Sequence, residues 1–195
     1  MRSTALIIVL AVLAVLFIGG CSSYNGFVSK DEMVNQAWSN VQSSYQRRSD
    51  LIGNLVETVK GAANFEQSTL VEIANARAKA TQITIDPSNA TPEQLAQFQQ
   101  AQGSLSQSLG RLLAVAENYP ELKANQNFLE LQSQLESTEN RVKVERDRFN
   151  EAVTQYNMAV RRFPASFFAG IFGFERRAQF EAEAGSEQAP KVQFN

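Results

Sequence analysis

The chain opens with an apolar segment that has no polar face. Every residue from Ala5 to Ile18 is apolar, and Arg2 is the only charged residue before this run. A positive start followed by an apolar run of this length is typical of a secretory signal. A membrane-spanning helix needs about 20 residues, and the run comes close to that length when 19–22 are included. We therefore predict that residues 1–20 are a lipoprotein signal peptide or a membrane anchor helix.

The residues that end this segment favour lipid attachment. Ile18, Gly19, Gly20 and Cys21 form an aliphatic–small–small–cysteine sequence that resembles a bacterial lipobox. Small residues give a peptidase access to the bond before Cys21, and the thiol accepts a diacylglyceryl group. The alternative is an uncleaved signal anchor. Both interpretations place the rest of the chain outside the cytoplasm, because Arg2 stays inside and no basic cluster follows the segment.

The remaining pattern is helical. We interpret residues 21–28 as a polar tether and 29–163 as a helical domain, whose first helix begins at Ser29 with the Ser29/Glu32 capping box. Apolar residues recur mostly three or four positions apart, which predicts a buried stripe about 48 Å long if the helix reaches Lys60. The stripe consists of Val34, Trp38, Val41, Tyr45, Ile52, Leu55 and Val59.

Three more amphipathic helices follow the first. One covers about 65–82, one starts at Thr91 with Pro92 at the first helical position, and one runs from near Asn125 until Pro164 ends it. Because strand alternation is lacking and the connections are short, we predict an all-α, antiparallel, up-and-down four-helix bundle. The stripe period, close to that of a coiled coil, favours left-handed packing at a small crossing angle.

Polar residues lie on lines beside two of the stripes. Such lines indicate an interhelical hydrogen-bond network that fixes register, because buried polar groups need partners. The alternative is a groove for a ligand or a partner. The first line is Asn40, Arg47 and Asn54, and the second is Glu139, Arg146, Asn150 and Asn157.

Residues 164–195 form an aromatic-rich C-terminal tail. Its candidate contact residues are Phe167, Phe168, Phe172 and Phe174. These rings either pack over the end of the bundle or contact a partner or the membrane. Arginines beside the rings are compatible with a lipid-headgroup boundary. They are Arg161, Arg162, Arg176 and Arg177.

Composition narrows the possible functions. The 195 residues include 18 Lys and Arg against 20 Asp and Glu, a net charge of −2, which argues against nucleic-acid binding. With no histidine and one cysteine, histidine catalysis and a Cys/His zinc site are excluded. We therefore predict no enzyme, no metal and no cofactor. An envelope enzyme that uses Glu139 or Glu145 beside an arginine is the least favoured alternative.

Several motifs resemble the LemA family, in order from about Tyr24 to Phe174. They include Ala37–Val41, Gln46–Ile52, Gly110–Val115, Tyr119–Lys123 and Glu139–Arg141. Gly53 departs from the family, which often has proline there. The resemblance implies a bromodomain-like four-helix bundle in the bacterial cell envelope, on the periplasmic or cell-surface side. It implies no known activity, and an unknown envelope partner, such as a membrane peptidase. We therefore predict a non-catalytic, membrane-anchored interaction or scaffold protein, with a ligand-binding sensor as the alternative.

Overall fold

The computed structural model describes residues 2–61 and 65–181, and this part of the chain is helical without any strand. The prediction of an all-α fold is therefore confirmed. Residues 182–195, the end of the predicted tail, lie outside the described residues. The helices are α1 (Arg2–Lys60), α2 (Gln67–Gln82), α3 (Pro92–Ala116), α4 (Pro120–Lys123), α5 (Gln126–Arg161) and α6 (Ala165–Phe172).

The first helix does not begin where the sequence indicated. Residues 21–28, predicted as a tether, are helical, and α1 passes without interruption through Ser29. A capping box stabilises a helix end, but when the preceding turn is also helical its carbonyls already accept those backbone N–H groups. Phe27 is buried in the core and holds this part of α1 against the other helices.

The starts of α3 and α5 match the sequence signals. The Thr91 hydroxyl accepts a hydrogen bond from the backbone N–H of Gln94, and the Gln94 side chain accepts one from the N–H of Thr91. The Asn125 side chain accepts hydrogen bonds from the N–H groups of Asn127 and Phe128. Each cap satisfies donors that have no partner inside the helix.

The interior contains two hydrophobic cores, which we name by their distance from the apolar segment. The proximal core joins α1, α3 and α5 around Trp38, whose ring centroid is 5.2 Å from that of Phe149 and 5.8 Å from that of Phe98. The distal core joins α1, α2, α3 and α5, and Ile52 and Ile73 are fully buried there.

An extended C-terminal segment completes the proximal core. Gly173 ends α6 with φ of 74°, a left-handed conformation that glycine adopts without strain. Residues 174–181, which we call the strap, then run in extended form along α5. Near its end, the Phe180 ring stacks on Trp38 with centroids 5.8 Å apart. The strap therefore belongs to the folded body.

Candidate functional site

A polar layer separates the two cores. Arg48 is only 2% exposed, and its Nη1 donates to both carboxylate oxygens of Glu139, at 2.9 and 3.1 Å, and to the Ser106 hydroxyl at 3.0 Å. Its Nη2 donates to the side-chain oxygen of Gln102. The Gln102 amide in turn donates to the Ala80 carbonyl, 3.2 Å away. The layer thus ties α1, α2, α3 and α5 together.

The hydrogen bonds of the Glu139 carboxylate in this layer indicate a structural role. Glu139 accepts from Arg48 twice and from Ser106 once, so its oxygens are engaged in neutralising a buried guanidinium. A general acid or base needs an oxygen that can reach a substrate. The arrangement therefore favours a structural role for Glu139 over the enzyme alternative.

The polar line on α5 binds the strap through its last three residues, whereas its first, Glu139, lies in the polar layer. Asn157 and the backbone of Arg177 exchange two hydrogen bonds of 2.9 Å, and Asn150 and the backbone of Phe180 exchange two of 2.9 and 3.0 Å. Seven residues of helix rise about 10.5 Å, and three residues of extended chain span about 10 Å. The asparagine spacing on α5 therefore matches the spacing of the strap residues. Arg146 lies over the Phe180 ring, 4.9 Å from its centroid.

The polar line on α1 lies apart from Asn150 and Asn157, which bind the strap, and from Glu139, which binds Arg48. Asn40, Arg47 and Asn54 are exposed and line an open groove of about 970 Å³. The reason lies in helix geometry. Arg48 belongs to the buried stripe, and Arg47, the residue before it, is turned by about 100° around the helix axis and so points away from the core. Asn150 lies on another face of α5, where it binds the strap.

The far side of this groove belongs to α5. Arg141 is exposed there, and Glu145 is 7% exposed. One Glu145 oxygen accepts from Arg148 at 2.9 Å, and the other, Oε2, is buried and has no hydrogen-bond partner among the residues that the structure describes. The groove thus combines exposed amides and arginines with two carboxylates, the exposed Asp50 on its α1 side and the buried Glu145 on its α5 side.

A second charged cluster joins the strap to α1 and α5. The Arg177 guanidinium pairs with Asp31 and lies over the Tyr156 ring, 5.2 Å from its centroid. Tyr156 is 2% exposed. Burial raises the pKa of its phenol; the hydrogen bond with Arg177 opposes this shift, and the Asp31 carboxylate adds to it. Neither Asp31 nor Tyr156 was among the sequence candidates.

The aromatic tail divides into packed and exposed rings. The Phe168 ring lies against Gly19 and Gly20 of α1, and the Phe174 ring contacts Phe27 with centroids 5.1 Å apart. The Phe172 ring meets Tyr24 at 5.2 Å but is 42% exposed, and Phe167 is 62% exposed. Packing therefore accounts for only part of the tail.

The predicted lipid acceptor lies on the surface. Cys21 is a free, exposed thiol on α1. Among the described helices, α1 alone is long and apolar enough to cross a membrane, and that property comes from its N-terminal part. The side chains of Leu10 and Phe17, for example, are 57% and 73% exposed.

Comparisons with known proteins agree with the sequence resemblance. Magnetosome protein MamQ 2 of Paramagnetospirillum magneticum is 27% identical over 181 residues, and magnetosome protein MamQ of Magnetospirillum gryphiswaldense is 29% identical over 180. These matches cover 84% and 83% of this chain but 66% of each relative, just under two thirds. Protein LemA of Metamycoplasma hominis is 23% identical over 158 residues, 81% of this chain and 68% of that protein.

A sequence model of the LemA family matches residues 37–194. That range includes Trp38 of the proximal core, the polar layer and the strap. The chain therefore belongs to the LemA family.

Proposed function

We propose that this protein is a non-catalytic interaction module, anchored in the membrane of the bacterial envelope by its N-terminal segment, with its helical body outside the cytoplasm. The observation that carries the proposal is the continuity of α1. One helix runs from the exposed apolar segment through Cys21 to Lys60, with Val59 of its last turn in the distal core, so it joins either the segment itself or a lipid on Cys21 to the body. Such a helix transmits the position of the anchor to the body without a flexible joint.

For the body itself, we propose the antiparallel, up-and-down, bromodomain-like four-helix arrangement that the family resemblance implies. Its members are α1, α2, α3 and α5. The contacts between α1 and α5 support it, because Trp38 meets Phe149 whereas Arg48, further along α1, meets Glu139, which comes earlier in α5. The polar layer would then set the register of all four helices.

The surface that we assign to a partner is the groove between α1 and α5. It presents Asn40, Arg47, Asp50 and Asn54 on one side and Arg141 on the other, next to the buried carboxylate of Glu145. Exposed amides, guanidinium groups and a carboxylate offer both donors and acceptors, which fit a polar protein surface of mixed charge. The partner would be an envelope protein such as a membrane peptidase.

The ligand-sensor alternative receives less support. Small-molecule sites are mostly concave and apolar, with a few convergent polar groups. This groove is open and is lined by polar residues except for Leu51, and Asn150, which would have closed a pocket with Asn40 and Arg47, holds the strap instead. An extended macromolecular contact fits these features better.

Photo-crosslinking in intact cells tests the proposal. A photoreactive amino acid at Arg47 faces the groove, and the same residue at Ser104, an exposed position on α3, is the control. We expect a discrete crosslinked product in carbonate-washed membranes from position 47 and not from position 104. Equal products at both positions would contradict the partner surface, and recovery of the chain in the soluble fraction would contradict the anchor.

A further inference from the structure

The short helix α6 exposes an unusual amount of apolar surface. Its residues are apolar or small except for Ser166, and the side chains of Phe167 and Ile171 are each 62% exposed. Phe163, immediately before the helix, is 88% exposed. Single exposed apolar side chains are common, but a contiguous cluster usually marks a contact with another molecule or with lipid.

The contacts of α6 show which part of α1 it lies beside. Phe168 lies against Gly20, where an added Cβ would come within 3.3 Å of the ring, and Phe172 meets Tyr24. Four residues advance each helix by about 6 Å, so α6 runs alongside α1 in the same direction. The start of α6 and Phe163 therefore lie further towards the apolar segment than Gly20 does.

The apolar segment ends in the same part of α1 that α6 lies beside. About 20 residues are needed to cross the hydrocarbon core, and a span that starts at Leu6 ends at Asn25. Tyr24 is 44% exposed near this end, the position where aromatic residues concentrate in membrane proteins. If Cys21 is lipidated and becomes the N-terminus, its acyl chains put the membrane surface at the same level.

Positive charge lies beside the exposed rings. Arg161, Arg162 and Arg176 line a groove of about 360 Å³ next to the junction between α5 and α6. None of the seven described residues that line it carries a carboxylate. Guanidinium groups bind phosphate oxygens with two parallel hydrogen bonds, so this groove fits anionic phospholipid headgroups.

We propose that Phe163 and α6 form an interfacial foot, which inserts its exposed apolar side chains into the bilayer beside the anchor, while the three arginines contact anionic headgroups. This inference rests on the proposed membrane anchoring. The anchor and the foot together give the body two attachments to the membrane. Two attachments also fix the rotation of the body about α1, and with it the direction in which the groove between α1 and α5 faces, which a single attachment leaves free.

Depth-dependent fluorescence quenching tests the foot. The full chain carries Cys21→Ser, to remove the native thiol, and a single labelled cysteine that replaces Ile171 in the foot. A label at Leu10 reports on the anchor, and a label at Leu129, 50% exposed on α5 beside the distal core, is the matched control. The chain is reconstituted in nanodiscs of phosphatidylcholine and phosphatidylglycerol in equal parts, with nitroxide-labelled acyl chains.

We expect strong quenching at positions 10 and 171 and none at 129. Quenching at 10 without quenching at 171 overturns the foot while the anchor stands, and points to a protein as the occupant of this surface. Loss of quenching at both positions overturns the anchoring, and the foot with it.

A second arm tests the arginines. We expect quenching at position 171 to be stronger in the mixed nanodiscs than in pure phosphatidylcholine. The combined substitutions Arg161→Gln, Arg162→Gln and Arg176→Gln should abolish that difference. An unchanged difference between the two lipid compositions would overturn the headgroup contact and leave the insertion of α6 intact.

Discussion

Arg48 is the residue that most constrains the interior. A guanidinium that is 2% exposed must find hydrogen-bond acceptors inside the protein. Glu139, Gln102 and Ser106 supply them from two other helices. Each partner sits where its own helix passes between the proximal and the distal core, so any shift of one helix along another would break the layer. The polar layer therefore acts directly on the register of the helices relative to one another.

Glu139→Gln removes the charge partner of Arg48. We expect it to lower the free energy of unfolding by about 3 kcal/mol, the lower end for breaking a buried pair, because 31% of the Glu139 side chain still reaches water. Arg47→Gln, a substitution of the exposed neighbour of Arg48, should change it by less than about 0.5 kcal/mol. Urea unfolding of the full chain in mild detergent measures both. Equal effects of the two substitutions would contradict the structural role of the layer.

Tyr156 gives the fold a dependence on alkaline pH. Burial raises the pKa of the phenol above its unfolded value of about 10, so the folded state favours the neutral form. The corresponding stability is complete below about pH 10 and is lost as pH rises through the folded pKa. The stability of the native chain relative to Tyr156→Phe should therefore stay constant up to about pH 10 and fall between about pH 10 and 11. A constant difference in urea midpoint over this range would contradict this role.

At the scale of elements, the strap shows how one face of a helix can bind a segment that is distant in the sequence. Asn150 and Asn157 use both side-chain groups to pair with extended backbone, which imitates the pairing of two strands. Their line on α5 looks like a helix–helix network in the sequence because seven-residue spacing is common to both arrangements. Only the position of residues 174–181 in space distinguishes them.

The sequence predicts the helices well and their polar contacts poorly. Stripes and caps identify α2, α3 and α5, because burial and backbone capping leave local signals. The stripe of α1 carried one further signal: it steps by seven from Tyr45 to Ile52, and Arg48 fills the missing position. Charged residues are rarely buried, so the sequence alone favours an exposed position for Arg48.

The continuity of α1 has a direct test at Gly26. An added Cβ there meets no atom within 4 Å, so Gly26→Ala exchanges a poor helix residue for the best one without a clash. We expect the free energy of unfolding to rise by about 0.5–1 kcal/mol, as for Gly103→Ala in α3, which serves as the control. If residues 21–28 were a flexible tether, Gly103→Ala alone would stabilise the chain.

At the scale of the whole molecule, the two small residues before Cys21 have two possible uses. They suit a lipoprotein peptidase, and they also let Phe168 approach α1 closely. Cleavage before Cys21 would remove Gly19 and Gly20 and leave the Phe168 ring beside the acyl chains on the new N-terminus. In either case an apolar surface covers Phe168, so the foot is compatible with both forms of the anchor.

The lipobox predicts the processed form. We expect globomycin, which blocks the lipoprotein peptidase, to cause an uncleaved precursor to accumulate, and mass spectrometry of the untreated chain to find an acylated Cys21 at the N-terminus. Cys21→Ser should give the uncleaved chain without the drug, because no thiol accepts the diacylglyceryl group. If the untreated chain retains residues 1–20, Gly19 and Gly20 serve the packing of Phe168, and α1 itself is the anchor.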